Sequence, residues 1–161
     1  MIIMEYYAKG KRSKVYKEDE KIIKVTNEYS AKNEACWLKK LNKHKIGPKY
    51  IDSTKVSVTM EFIDGVRIID YLDESSKIKC EKIIKDCLKQ CEILDKLKVN
   101  KKEFTNPYKH IIVRNDKAVF IDFERCKLTE RVKNVNQFKA FLESKRIKEI
   151  FEKKKINYSF Y

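Results

Sequence analysis

Residues 106–125, NPYKHIIVRNDKAVFIDFER, contain the pattern that most restricts the fold of this chain. Two short apolar runs, at 111–113 and 118–121, flank the polar stretch RNDK. Apolar runs on both sides of a short polar turn predict a β-hairpin. The second strand leads directly into Asp122. The pattern therefore predicts a hairpin that delivers a carboxylate at its end.

The rest of the chain alternates strand and helix patterns. We predict strands around a glycine-containing loop and the acidic turn KEDEK, a helix capped by Ser30 and ended by Gly47-Pro48, strands before the turn Asp64-Gly65, a long helix over about 75–100, and basic helix-forming sequence after about 129. This order is typical of an α+β protein with two lobes. We place the lobes at 1–62 and 63–161, within one compact unit.

The chain has 38 Lys and Arg against 24 Asp and Glu, a formal net charge of +14 among 161 residues. Such a charge favours polyanionic partners, nucleic acid above all. A compositional bias of the source organism is the alternative interpretation. The sequence contains no apolar run near 18 residues and no signal-peptide pattern, so we expect neither a membrane span nor secretion but a cytoplasmic protein.

The five cysteines form no CxxC pair. Cys80, Cys87 and Cys91 recur on one face of the predicted long helix. Buried, reduced thiols are the expected state, and the two histidines offer little support for a zinc site.

Three segments carry residues suited to phosphate chemistry. The loop GKRSKVYK supplies Gly10 for close backbone approach, and donors from Lys11, Arg12 and Ser13. Lys24 lies on the inner face of a strand, where an ammonium group needs an anionic partner. Glu34, ten residues later on the inner turn of the next helix, is the predicted partner.

Phosphoryl transfer requires a lysine on the phosphates, a carboxylate that orients it, an oxygen ligand for Mg²⁺ and a loop over the phosphates. Lys24, Glu34, Asp122 and the loop at Gly10 supply these parts in the correct order. Each alone has a structural explanation as a solvated or turn residue. Their order and spacing favour a phosphotransferase.

The same residues resemble the RIO-type kinases. GKRSKVY is similar to their short phosphate loop, IIKV to the kinase lysine strand and MEFIDG to the hinge. IDFER resembles the metal-binding Asp-Phe-Gly motif, with Glu124 in place of glycine. The resemblance covers about residues 5–125, and it implies a minimal kinase-like fold that binds ATP. The same resemblance implies that Asp122 binds Mg²⁺. It also implies that an adenine pocket is framed by Val15, Ile22 and Met60 and by backbone at Glu61 and Ile63.

NPYKHIIV together with FIDFER resembles more specifically the archaeal RNA kinase family. That family phosphorylates the ribose 2′-hydroxyl of an internal uridine in tRNA, which stabilises the tRNA. The resemblance implies tRNA as the partner and acceptor, and no obligatory protein partner. A RIO-like protein serine/threonine kinase and a catalytically inactive RNA-binding module are the alternatives.

One departure concerns the catalytic base. Kinases carry an Asp five residues before a metal-binding Asn, and here Thr105 and His110 occupy those positions. An imidazole can act as a base near neutrality, whereas Mg²⁺ prefers oxygen ligands. We therefore expect His110 or Asp122 nearest the acceptor, with Lys109 and Asn106 in the same loop. A buried hairpin histidine is the alternative for His110.

The C-terminal segment ESKRIKEIFEKKKINYSFY combines basic and aromatic residues, a composition suited to RNA. The predicted RNA contacts are Lys145, Arg146, Lys148, Lys153, Lys154 and Lys155, with Phe151, Tyr158, Phe160 and Tyr161 interleaved. An amphipathic closing helix with a solvated basic face is the alternative. The sequence identifies neither the tRNA nor its modified nucleotide, and it gives neither the oligomeric state nor a role for the cysteine face.

Overall fold

A computed structural model describes residues 4–157 of the chain. It divides into two compact units, Met1–Ile63 with Ile121–Cys126, and Asp64–Phe120 with Lys127–Tyr161. The predicted division at residue 62 placed 121–126 in the second lobe, whereas the structure assigns this segment to the first unit. The reason is a set of hydrogen bonds to the helix of that unit, described with the site below.

The first unit is an antiparallel sheet with one helix, as predicted, and the sheet has five strands. Its strands have the spatial order β1-β2-β3-β5-β4. They are β1 (Glu5–Lys9), β2 (Lys14–Glu18), β3 (Lys21–Val25), β4 (Tyr50–Ser53) and β5 (Ser57–Glu61). The predicted acidic turn lies between β2 and β3, where Asp19 has a φ of 51°.

Helix α1 (Glu28–Asn42) follows β3. Its N-cap is Asn27, whose side chain accepts from the Ser30 backbone N–H at 2.9 Å, so the predicted cap at Ser30 was wrong by one turn. The helix ends at Asn42, five residues before Gly47, and the Asn42 amide group donates to the carbonyls of Ile46 and Pro48. One face of the helix is buried through Ala31, Ala35, Leu38 and Leu41.

The second unit contains four helices and five short strands among its described residues. They are β6 (Val66–Arg67), α2 (Ile68–Glu74), α3 (Lys77–Lys96), β7 (Val99–Asn100), β8 (Ile111–Arg114), β9 (Lys117–Phe120), β10 (Lys127–Leu128), α4 (Asn134–Leu142) and α5 (Lys145–Lys154). The predicted α+β class is confirmed.

Strands β8 and β9 form the hairpin predicted at the outset. Asn115 and Asp116 at its turn both adopt positive φ, 52° and 58°. A two-residue turn of this type needs residues that tolerate the left-handed region, and Asn and Asp are the side chains that do so most readily. The sequence RNDK therefore specifies both the turn and the register of the strands.

Helix α3 carries the cysteine face. Cys80, Cys87 and Cys91 are fully buried in it, and burial raises the pKa of each thiol. All five cysteines are free, although Cys36 is exposed, contrary to the expectation of buried thiols throughout. Among residues 4–157, no helix combines the length and apolarity that crossing a bilayer would need.

Candidate active site

Lys24 on β3 lies at the centre of a cluster of carboxylates in the first unit. Its Nζ lies 3.2 Å from Glu34 Oε1, 3.1 Å from Asp122 Oδ1 and 3.4 Å from Glu124 Oε2. The lysine side chain is 12% exposed and that of Glu34 is 3% exposed. The structure thus brings together the predicted lysine, its predicted partner and the predicted metal ligand, and adds Glu124.

Helix α1 positions the carboxylates. Glu34 Oε2 accepts the Phe123 backbone N–H at 2.7 Å, while its other oxygen faces Lys24. The Asn33 amide group donates to the carbonyls of Glu124 and Cys126, and Trp37 Nε1 donates to Cys126 O at 3.0 Å. One face of α1 therefore both orients Lys24 and holds segment 121–126 in place.

Asp122 itself has a φ of 67°, in the left-handed region that non-glycine residues rarely occupy. Asp tolerates this region better than most residues. The backbone bond from Phe123 to Glu34 fixes the turn that follows it. This conformation directs the side chain of Asp122 to Lys24 at the point where the chain leaves β9.

The charges of the cluster depend on one another. Burial opposes the charged form of Lys24, but Glu34, Asp122 and Glu124 outweigh it and raise the pKa of Lys24. Burial also raises the pKa of Glu34, and Lys24 partly offsets that rise. With all groups ionised, three carboxylates face one ammonium group. The cluster therefore has an excess of hard anionic oxygen, the ligand type that Mg²⁺ prefers.

The residues predicted to frame a nucleobase lie on the Lys24 face of the sheet. Val15 pairs with Lys24 across β2 and β3, and Ile22 pairs with Met60 across β3 and β5. Because cross-strand partners and every second residue share a face, these side chains form one apolar area beside Lys24. The Glu61 backbone N–H donates to Lys49 O at 2.9 Å, so this donor is committed within the protein.

The loop between β1 and β2 is a tight turn. The Gly10 N–H donates to Ser13 O at 2.8 Å, and a Cβ at Gly10 would lie 2.7 Å from Ser13 Oγ. Lys11 and Arg12 are exposed at its tip, and Arg12 O accepts from the Thr26 hydroxyl at 3.1 Å. The turn thus presents cations while its backbone remains compact.

In the second unit, His110 has a carboxylate partner that sequence analysis missed. Glu103 Oε2 lies 3.0 Å from His110 Nδ1, and both side chains are about one-fifth exposed, 22% and 19%. Lys102 and Glu103 both have a φ of 65°, so two successive residues occupy the left-handed region. The signal available in the sequence was that Glu103 is the only acidic residue within 96–115.

Two other predicted residues of this loop, Asn106 and Lys109, are exposed. The Asn106 N–H donates to Glu103 O, and the His110 N–H donates to Pro107 O. These backbone bonds tie the loop into the consecutive turns that carry Glu103 and His110.

Half of the predicted RNA-binding cations make contacts within the second unit instead. Arg146 pairs with Asp73 at 3.1 Å, Lys148 pairs with Glu143 at 3.3 Å, and Lys154 Nζ donates to the carbonyls of Asp73 and Ser75. Lys145, Lys153 and Lys155 are exposed.

Of the four predicted aromatic contacts of this segment, the structure describes one. Phe151 is 1% exposed, so it packs in the core and cannot stack on a base. Tyr158, Phe160 and Tyr161 lie outside the described residues. Ile147, Ile150 and Phe151 are buried, so α5 packs an apolar face inward, and RNA binding by its exposed cations stays a prediction.

The structure is similar to protein-kinase-like enzymes. A crystal structure of the Rio2 kinase from Chaetomium thermophilum matches with a TM-score of 0.65 and 14% identity, over 95% of this chain and 58% of that chain. The ADP/Mg²⁺-phosphoaspartate complex of the same kinase matches with a TM-score of 0.69 and 15% identity, over 98% and 58%. ADP-bound aminoglycoside phosphotransferase APH(2'')-Ib matches with a TM-score of 0.62 and 14% identity, over 94% and 81%. The predicted RIO-like kinase fold is confirmed.

Sequence comparison adds an archaeal relative. An uncharacterized protein of Methanocaldococcus jannaschii is 35% identical over 75 residues, which are 47% of this chain and 64% of that protein. The match thus spans less than two thirds of the relative, as it does of the Rio2 kinase. No protein-family model matches the chain.

Proposed function

We propose that the protein is an ATP-dependent RNA kinase that phosphorylates tRNA on the ribose 2′-hydroxyl of an internal uridine. The observation that carries the phosphotransferase part is the cluster of Lys24, Glu34 and Asp122 within a kinase-like fold. The cluster supplies a phosphate-binding cation, the carboxylate that orients it and a metal-binding oxygen. The RNA part rests on the net charge of +14 and on the resemblance to the archaeal RNA kinase family.

ATP would occupy the Lys24 face of the sheet. Val15, Ile22 and Met60 would contact the adenine, and Gly10, Lys11 and Ser13 would cover the phosphates. Because the Glu61 N–H is bonded to Lys49 O, the Glu61 backbone would pair with adenine through its carbonyl, beside the backbone of Ile63. Lys24 would exchange the carboxylate of Asp122 for phosphate oxygens and keep Glu34 as its partner. Asp122, whose side chain is partly exposed, would then bind the metal.

Mg²⁺ fits the donor set of this cluster, because the Asp122 and Glu124 side chains are partly exposed and offer carboxylate oxygens. We assign the metal to Asp122. When bound, the ion neutralises negative charge on the phosphates of the nucleotide.

The proposed base is His110, positioned by Glu103. Glu103 Oε2 lies 3.0 Å from Nδ1 but makes no hydrogen bond with it, and we assign the acceptor hydroxyl to Nε2, the other ring nitrogen. The hydroxyl oxygen would form a bond to the γ-phosphorus as the bond from that phosphorus to the β-phosphate oxygen breaks. ADP leaves, and the hydroxyl proton passes to Nε2. Little proton transfer is needed early in a loose transition state, so a histidine suffices in place of the usual Asp.

The RIO-like protein kinase remains a second candidate, since Rio2 kinase structures are among the similar folds. A catalytically inactive RNA-binding module is the third.

The deciding experiment incubates the protein with γ-labelled ATP, Mg²⁺ and bulk tRNA. The variant Asp122→Asn runs in parallel, and Asp52→Asn, which changes an exposed Asp on β4, is the matched control. We expect label in tRNA with wild type and Asp52→Asn and none with Asp122→Asn. A 2′-phosphate blocks alkaline cleavage at its own nucleotide, so the label should appear in an alkali-resistant dinucleotide.

Other outcomes separate the candidates. Label on serine or threonine of an added protein extract, with none in tRNA, would favour the protein kinase. Retention of tRNA without label in either acceptor would favour the inactive module.

A further inference from the structure

The sheet of the first unit has two faces with different surroundings. The face that carries Lys24 also carries Val58, which is fully buried, and Met60, which is 8% exposed. Helix α1 packs against β4 and β5, and Glu34 on the helix reaches Lys24 on β3. The opposite face carries the alternate residues of each strand, and these are exposed or partly exposed.

On this opposite face the strand register aligns a row across four strands. Tyr6 pairs with Tyr16, Tyr16 pairs with Ile23, and Ile23 pairs with Thr59. Tyr6 is 58% exposed. The two tyrosine rings are 5.9 Å apart at 77°, an edge-to-face arrangement. In that arrangement the edge of one ring meets the face of the other, and the exposure of Tyr6 leaves part of its ring at the surface.

A row of cations lies beside the tyrosines. Lys9 pairs with Lys14 on the same face, and both side chains are exposed. Lys14 and Tyr16 are two residues apart on β2, which corresponds to roughly 7 Å along the strand. A phosphate of a nucleotide whose base stacks on the tyrosine lies within reach of a lysine at that distance. We name Tyr6, Tyr16, Lys9 and Lys14 together the tyrosine face.

The charge of this sheet face changes along the strands. Beyond the tyrosine row, Lys21 pairs with both Glu18 and Glu61, so charges of both signs meet there. At the other end, Lys9 and Lys14 flank the turn at Gly10, whose tip adds Lys11 and Arg12. Positive charge therefore increases toward the turn that we propose as the phosphate loop.

We propose that the tyrosine face binds single-stranded RNA, with bases on the tyrosines and phosphates on Lys9 and Lys14. This inference deepens the proposed function by giving the RNA acceptor a binding surface within the first unit. Aromatic rings flanked by cations are the combination by which proteins hold unpaired nucleotides without reading sequence. The strand of RNA would run toward the proposed phosphate loop, where Lys11 and Arg12 are exposed.

Other occupants fit the tyrosine face less well. A second copy of the chain would bring Lys9 and Lys14 against a surface of the same charge, and like charges across an interface are unfavourable. An acidic protein segment would form ion pairs with the lysines. It would not provide the planar ring that a nucleobase stacks on the tyrosines. The face is also far richer in cations than a protein-binding core, from which lysine is depleted.

The test measures binding of a fluorescent twelve-nucleotide oligouridine by anisotropy. Substitution of Tyr6→Ala with Tyr16→Ala should weaken binding by about thirtyfold or more, since stacking contributes about 1–3 kcal/mol per base and two rings are lost. Tyr6→Phe with Tyr16→Phe keeps both rings and should restore binding. Because Tyr16 is partly buried, Tyr6→Ala alone is measured too, and urea unfolding of each variant checks the fold.

The lysines are tested through salt dependence. Lys9→Gln with Lys14→Gln should lower the slope of log affinity against log salt by about 1.4, because each phosphate contact on a single strand contributes about 0.7. Lys32→Gln with Lys43→Gln removes the same charge from exposed positions of α1 and its C-cap, and should leave the slope unchanged. Lys145→Gln with Lys153→Gln tests the rival surface on α5.

The proposal is overturned if the tyrosine variants bind oligouridine as wild type does, if wild type binds none, or if the α5 variant alone loses binding. Loss of a wild-type dimer on Tyr6→Ala in sedimentation equilibrium would assign the face to a second copy instead. Its failure is distinguishable from failure of the proposed function. Binding that depends on the tyrosines, without label from ATP in tRNA, would refute only the kinase reaction. If the tyrosine variants still label tRNA and their KM for tRNA equals that of wild type, only the binding surface is refuted.

Discussion

Lys24 Nζ and Glu34 Oε1 lie 3.2 Å apart in the first unit, and each is buried enough to depend on the other for its charge. Removing one member of such a pair leaves the other as an unpaired buried ion or forces it to become neutral. The unpaired ion lowers the free energy of unfolding by about 3–5 kcal/mol. Loss of either residue should therefore lower the free energy of unfolding as well as the catalytic activity.

Lys24→Met should lower the free energy of unfolding by about 3 kcal/mol at pH 8. Burial already raises the pKa of Glu34, and the variant loses the lysine that opposes this rise. The folded variant then takes up a proton at a higher pH than the unfolded chain does, so its stability should increase as pH falls from 8 to 5.5. Urea unfolding across this range measures the change. Adding Glu34→Gln to the variant should remove the pH dependence, and a loss of stability that is constant with pH would contradict the expectation.

His110→Ala should lower kcat by about 10²-fold with little change in the KM for ATP, the low end of the range for a lost general base, because a loose transition state needs little proton transfer. Glu103→Gln should lower kcat in the same way but less, and Glu103→Asp should restore part of it. Steady-state kinetics at several Mg²⁺ concentrations provide the measurement. If either variant instead raises the Mg²⁺ concentration needed for half-maximal rate, the two residues act on the metal and not on the acceptor.

Tyr71 should make the second unit sensitive to alkali. Burial and the hydrogen bond from its hydroxyl to Asp116, at 2.7 Å, raise the pKa of Tyr71 to about 12 from 10.0. The folded state favours the neutral phenol, so its contribution is complete below pH 10 and is lost as pH rises from 10 toward 12. Urea unfolding at pH 9 and 11 should show a smaller drop in stability for Tyr71→Phe than for wild type. Equal drops would show that Tyr71 titrates normally.

Gly65→Ala should destabilise the protein by about 1–3 kcal/mol, the usual range for overpacking. A Cβ at this position would lie 2.3 Å from the backbone oxygen of Val113, which belongs to a paired strand and cannot move aside alone. Gly10→Ala is the matched control, because the atom it meets at 2.7 Å is a serine hydroxyl that can rotate. Thermal unfolding of both variants compares them, and an equal effect would contradict the role of the Val113 carbonyl.

Local patterns in the sequence were sufficient for the elements that carry the site. The hairpin around Asn115 and Asp116 follows from turn chemistry, and the inward position of Lys24 follows from strand alternation. The spacing of Lys24 and Glu34 on consecutive elements made their contact predictable. These features depend on neighbours close in sequence, where periodicity is informative.

The remaining features depend on contacts between distant residues. Asn33 bonds Cys126 O across 93 positions, and nothing in the local pattern shows that α1 holds that segment. The position of Glu103 beside His110 depends on two successive residues in the left-handed region, which sequence patterns rarely indicate for Lys and Glu. The cations of α5 looked alike in sequence, yet Arg146 and Lys154 have partners around Asp73, 73 and 81 positions away.

The return of Ile121–Cys126 to the first unit gives the chain an order of assembly during synthesis. When residues 1–63 have left a ribosome, Glu34 still lacks the Phe123 backbone N–H, and Trp37 lacks the Cys126 carbonyl. The Glu34 carboxylate and the Trp37 indole N–H can form these hydrogen bonds only after the whole of Asp64–Phe120 has been made. The carboxylate cluster can therefore form only after translation has passed residue 126. A product truncated before that segment has the lysine strand and the helix, but it lacks Asp122 and Glu124.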